Sequence, residues 1–117
     1  MRKNKDFNPN QCPVTHCLNL IGGKWKPIVL YLIPRGCNRF GMLQKAIPAI
    51  SKQMLVQQLR ELEEDGLISR KIYAEVPPRV EYAITDYGET LFPLINAMSE
   101  WGLADMAKKT SKISELG

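Results

Sequence analysis

A single histidine and three cysteines leave this chain poorly equipped for metal chemistry. Cys12, His16, Cys17 and Cys37 follow none of the Cys/His spacings that close around zinc, so no metal site is expected. His16 reads as a capping or surface residue. An odd number of cysteines without a disulfide-like framework agrees with a reducing compartment. Long apolar runs are missing too: the longest, Ile28 to Ile33, falls far short of the roughly 20 residues that span a bilayer. The basic opening, Met1 to Asn10, is not followed by the apolar core of a secretory signal. The expectation is a cytoplasmic protein with no membrane partner. Enzymatic equipment is equally scarce. No phosphate loop, CxxC pair, Ser/His/Asp set or clustered carboxylate pair is present, so neither a catalytic residue nor a cofactor is expected.

What the chain does have is an uneven charge. The net value of +4 says little, but residues 1–40 carry Arg2, Lys3, Lys5, Lys24, Lys26, Arg35 and Arg39 against Asp6 alone. The remainder is slightly acidic. Such a split suits a surface that meets a polyanion, although Arg2 to Lys5 read equally well as a solvated tail. With 117 residues, 44% of them hydrophobic, the chain holds one domain with a real core.

Proline and glycine then punctuate the elements. The first helical segment opens at Cys12-Pro13, where a missing N–H costs nothing, and stops at Gly22-Gly23 after Ile21. Trp25, Ile28, Val29, Leu32 and Ile33 recur at i, i+3, i+4, i+7 and i+8, one face of a second helix. Pro27 falls in its first turn and Pro34 just past its end. Phe40, Leu43 and Ile47 mark a short third helix from about Arg39 to Ala46, broken by Pro48. Ser51 is a good N-cap for a fourth, beginning at Lys52 and closing at Asp65-Gly66.

From Leu67 the period changes to two. Ile68 and Ile72, then Val80, Tyr82 and Ile84, alternate with polar or small neighbours around the turn Val76-Pro77-Pro78-Arg79, which predicts a hairpin. Thr85 is expected to cap one final long helix carrying Leu91, Leu94, Ile95, Met98 and Trp101, with Pro93 inside it as a bend. This order predicts an α+β, mostly α fold: a winged helix-turn-helix with a two-stranded wing and a long C-terminal helix. Residues 1–11 are expected as a flexible basic tail, 12–107 as the winged-helix domain and 108–117 as a C-terminal tail.

The chemistry gathers on the fourth helix. Wound at about 100° per residue, it puts Leu55, Leu59 and Leu62 on one side and Lys52, Gln53, Val56, Gln57 and Arg60 on the other. The outer five include two amides, two cations and no acid; Glu61, Glu63, Glu64 and Asp65 collect at the far end. Glutamine can bond the N6/N7 edge of adenine, Lys and Arg suit guanine or phosphate, and Val can touch a thymine methyl. The start of such a helix points into the major groove, and its free N–H groups and dipole favour phosphate. A merely solvated amphipathic helix would share this polarity; the short helix before it and the hairpin after it favour recognition of DNA. Lys52, Gln53, Val56, Gln57 and Arg60 are therefore the expected reading face. Arg39, Arg79, Lys24 and Lys26 are the expected backbone contacts, Arg79 from the hairpin tip.

These motifs resemble those of the HxlR family of winged-helix regulators, and more loosely those of MarR-type repressors. They are CPV at Cys12–Val14, IGGKW at Ile21–Trp25, RF at Arg39–Phe40, IS at Ile50–Ser51 and MLVQQLRELEEDGLI at Met54–Ile68. EVPPRVEY at Glu75–Tyr82 and the run Ser99 to Gly102 complete the set. The resemblance implies a homodimer built from the first and last helices, placed on a pseudopalindromic operator of double-stranded DNA, with DNA contacts at Ser51, Lys52, Gln53, Gln57, Arg60 and Arg79. It also implies one-component regulation by a small-molecule or oxidant signal. Some similar proteins sense oxidants or electrophiles with the cysteine before PV, here Cys12. A helix N-terminus lowers a thiol pKa, which suits that role, whereas a small buried hydrophobe at the dimer interface is the structural alternative. Cys17 lies off that helical face and is expected in the core. No role is carried to Cys37, which sits in a variable loop. The rival reading is a winged-helix module that binds protein without specific DNA recognition; an apolar or acidic outer face on the fourth helix would favour it.

Overall fold

The computed structural model describes residues 8–116, with side chains from Asn8 to Ser111. Most of the tail expected over residues 1–11 lies outside the described residues; its end, Pro9–Gln11, forms a 3-10 turn capped by the Asn8 side chain. Helix α1 follows over Pro13–Ile21, with Cys12 as its N-cap and Pro13 at its first position. Gly22 closes it in an extended conformation with its N–H on the Leu18 carbonyl, a position where a side chain would run into that oxygen. Helix α2, Trp25–Leu32, passes into a 3-10 turn at Ile33–Arg35, which Gly36 closes with a φ of 100°. Helix α3 spans Phe40–Ala46 and α4 spans Lys52–Glu64. Ser51 caps α4 as expected, its hydroxyl accepting from the Met54 N–H at 3.1 Å.

Strands β1 (Ile68–Tyr73) and β2 (Arg79–Ile84) pair antiparallel from Ile68↔Ile84 to Tyr73↔Arg79, and residues 74–78 make the tip of this wing. The Tyr82 N–H donates to the Asn38 carbonyl at 2.8 Å, which ties the outer edge of β2 to the loop before α3. The core gathers Val29 and Leu30 of α2, Leu43 of α3, Leu55, Leu59 and Leu62 of α4, Leu67, Ile68, and Ile95 from the C-terminal helix. Burying each leucine is worth about 1.5–3 kcal/mol. The three from α4 therefore fix that helix rotationally and leave its opposite face outward.

The C-terminal region corrects the expectation. Thr85 caps a separate short helix, α5 (Asp86–Glu89), and the long helix α6 starts afresh at Phe92 and runs to Leu116. Pro93 consequently lies in the first turn of α6 rather than inside a longer helix, so it causes no bend. Proline has no N–H to offer a preceding carbonyl and its ring crowds the residue four back, so a continuous helix would be broken there; a restart costs nothing. The break is held by Thr85, whose hydroxyl donates to the Gly66 carbonyl at 2.6 Å and accepts from the Gly88 N–H at 3.0 Å. Nor does α6 stop at Ala107: residues 108–116, expected as a tail, continue the helix. Among the described residues, no helix is long and apolar enough to cross a membrane.

Candidate nucleic-acid interface

With its leucines buried, α4 presents Lys52, Gln53, Val56, Gln57 and Arg60 to solvent along an open concave face that Glu61 and Glu64 complete. The first turn of α4 holds no acid. Lys52 and Arg60 form no ion pair among the described residues, so their charge faces outward uncancelled. Ser51 spends its hydroxyl on the cap, which leaves it a structural as well as a surface position.

Glu61 is the residue that sequence reasoning passed over. One of its oxygens takes the Lys26 ammonium at 2.6 Å, and the other accepts from the Gln57 amide nitrogen at 3.0 Å. Both partners favour the charged form: the Lys26 hydrogen bond first, then that of Gln57, hold the Glu61 carboxyl below its ordinary range. Lys26 was expected to face phosphate. Instead its side chain is largely buried and its charge is turned onto α4. Lys24, two residues earlier, stays exposed, its ammonium 4.9 Å from the centre of the Trp25 ring.

At the wing a second carboxylate collects two expected phosphate contacts. Arg39 reaches Glu81 at 3.4 Å, and Arg79 lies 3.7 Å from the same oxygen. Arg79 also pairs with Glu75 at 3.1 Å and stacks over the Tyr73 ring at 3.9 Å. It is thus the first residue of β2 rather than part of the tip, and it is half-buried. The i,i+4 spacing of Gln57 and Glu61 along one helix is legible in sequence, whereas Glu75 and Arg79 meet across the wing tip, where spacing predicts no contact. Arg39 and Glu81, 42 residues apart, leave no such trace.

Cys12 lies where the sequence puts it, at the N-terminus of α1. Its thiol is held below the usual range, first by the Thr15 backbone N–H and then by the Thr15 hydroxyl, which outweigh partial burial. Cys17 and Cys37 pack against the core, and His16 is exposed. Among the described residues no group of three or more His, Cys, Asp or Glu side chains is placed to hold a metal ion.

On α1 and α6 the chain leaves large apolar side chains in water. Val14 and Leu18 are exposed on the first, and Met98, Leu103 and Met106 on the second, with Trp101 72% exposed. Scattered apolar residues on a surface are ordinary, but a run of this size along two elements is the mark of an interaction surface.

A sequence model of HxlR-like helix-turn-helix proteins matches residues 20–110. The chain is 46% identical over 104 residues to the HTH-type transcriptional regulator YybR of Bacillus subtilis strain 168, which covers 87% of this chain and 83% of YybR. It is 52% identical over 91 residues to the regulator YdeP of the same organism, covering 78% of this chain and 71% of YdeP. In structure it resembles the redox regulator HypR. The oxidised form is 47% identical with a TM-score of 0.77, over 80% of this chain and 96% of HypR. The reduced form is 44% identical with a TM-score of 0.78, over 86% and 99%.

Proposed function

The chain belongs to the HxlR-like helix-turn-helix family and is a transcriptional regulator of that type; from that premise we propose that it works as a homodimer on a pseudopalindromic DNA operator, reading the major groove with α4. The outward face of α4 carries this reading, since it is exposed, cationic and amide-bearing at the end that would enter the groove. Gln53, Gln57 and Arg60 take the base edges, and Ser51 and Lys52 sit where the helix start meets phosphate. Lys24 contacts the backbone. Lys26 supports α4 through Glu61 rather than touching DNA, and Arg39 and Arg79 reach phosphate when it draws Arg39 off Glu81 and Arg79 off Glu75 and Glu81. The apolar faces of α1 and α6 supply the dimer contact.

Binding to an operator duplex, selected from the regulator's own promoter region, and to a random duplex tests the reading. Gln57→Ala is expected to cost about 1–3 kcal/mol on the operator with little change on random DNA. Equal loss on both removes Gln57 from base readout, and affinity indifferent to salt favours a protein partner instead.

The Cys12 site supports a signal as well. A thiol held toward thiolate at a helix N-terminus is suited to attack oxidants, and the similar protein HypR is named a redox regulator. In this reading Cys12 and a thiol of the second subunit lose two protons and two electrons to the oxidant and form an intersubunit disulfide, which turns the two reading heads. Diamide, reduced to its hydrazine in that step, is the test reagent. Unchanged operator affinity after treatment of the wild type would rule the sensor out.

A further inference from the structure

The contact between Gln57 and Glu61 bears on which base the helix selects. An ionised carboxylate only accepts hydrogen bonds, so the Gln57 side chain meets Glu61 through its nitrogen and never through its oxygen. Lys26, 2.6 Å away on the other oxygen, keeps Glu61 ionised and cancels its charge, which allows a carboxylate to stand on a face meant for DNA. One N–H of Gln57 is thereby committed. What remains outward is its Oε1 acceptor and one N–H donor.

We propose that Glu61 is a specificity-determining positioning residue, which orients the Gln57 amide so that it selects adenine and disfavours guanine at the base pair it faces. Adenine offers a donor at N6 beside an acceptor at N7, the complement of the remaining pair. Guanine offers acceptors at both O6 and N7. To satisfy them Gln57 would need both of its N–H groups, and one is held by Glu61. This inference rests on Gln57 reaching a base edge.

The test is selection from a randomised duplex library, carried out with the full-length dimer and with Gln57→Ala, Glu61→Gln and Lys26→Gln. Wild type is expected to prefer adenine over guanine by about tenfold or more at one position of each half-site, the position that Gln57→Ala relaxes. Glu61→Gln presents an amide that can donate or accept, so Gln57 is free to turn over; a free glutamine still matches adenine, so the preference there should fall by about threefold or more without vanishing, while other positions keep theirs. Lys26→Gln leaves the Glu61 charge uncancelled and should weaken all sequences while the adenine preference stays. A merely structural role for Glu61 would lower every position together. If Gln57→Ala relaxes one position but Glu61→Gln leaves it intact, or if guanine is selected there, this inference is overturned and base reading by Gln57 stands. If Gln57→Ala relaxes no position, both fall.

Discussion

Raising the salt concentration is the perturbation whose size the structure specifies best. Lys24, Lys52 and Arg60 are exposed and form no ion pair among the described residues, whereas Lys26, Arg39 and Arg79 are each paired with a carboxylate. Each uncommitted cation that meets a phosphate releases a counterion, with a slope of about −0.9 per contact in log affinity against log salt. With Arg60 on the base edges, Lys24 and Lys52 make two per subunit and roughly four in a dimer, a slope of about −3.6, and a loss of about 10²-fold between roughly 50 and 200 mM salt. Should DNA also draw Arg39 off Glu81 and Arg79 off Glu75 and Glu81, the count rises to about eight and the slope to about −7. Lys24→Ala removes one contact per subunit, so the slope should become shallower by about 2, equally on operator and random duplex. Fluorescence anisotropy of a labelled duplex across that salt range measures all three quantities. A wild-type slope shallower than about −2, or a Lys24→Ala loss confined to the operator, would refute the assignment of these cations to the DNA backbone.

Three further outcomes are expected. Thiolate is the reactive form of Cys12, so the midpoint of its iodoacetamide modification rate against pH should lie below that of an ordinary thiol. Thr15→Val should move that midpoint only part of the way up, because the Thr15 N–H, the larger cause, remains; no movement at all argues against the Thr15 hydroxyl. Trp101→Asp places a charge in the proposed dimer face and should give monomers in sedimentation at concentrations where wild type is expected to be dimeric, since buried aromatic anchors are worth about 2 kcal/mol or more. Gly88→Ala drives a methyl group into the Leu67 carbonyl and the Ile84 side chain, and should lower stability in chemical denaturation by about 1–3 kcal/mol.

Four helices, a wing and a long last helix were legible in the chain because each leaves a local mark. Pro13 and Gly22 bound α1, Ser51 and Gly66 bound α4, and the period falls from 3.6 to two at Leu67. The same marks allowed two arrangements at Pro93: a bent helix from Thr85 onward, or two helices with the proline in the first turn of the second. The missing proline N–H favours the second arrangement but does not say where the first helix stops. The choice came from Thr85 and Gly88 docking against the chain at Gly66 and Leu67, a contact about twenty residues long in sequence.

The candidate site divides in the same way. Amphipathic winding put Lys52, Gln53, Gln57 and Arg60 on one side, and the structure leaves them exposed there, because a helix face follows from spacing along a single element. Charge pairing across elements does not follow from spacing. Lys26 and Glu61 meet because α2 packs on α4, and Arg39 and Arg79 share Glu81 because the loop before α3 is bonded to β2. Sequence by itself determined which residues carry charge, which positions are helical and which face is apolar, since these depend on neighbours a few residues away. Only the tertiary structure decided which cations are free for a polyanion and which are already held, since a Coulombic partner is chosen by distance in space.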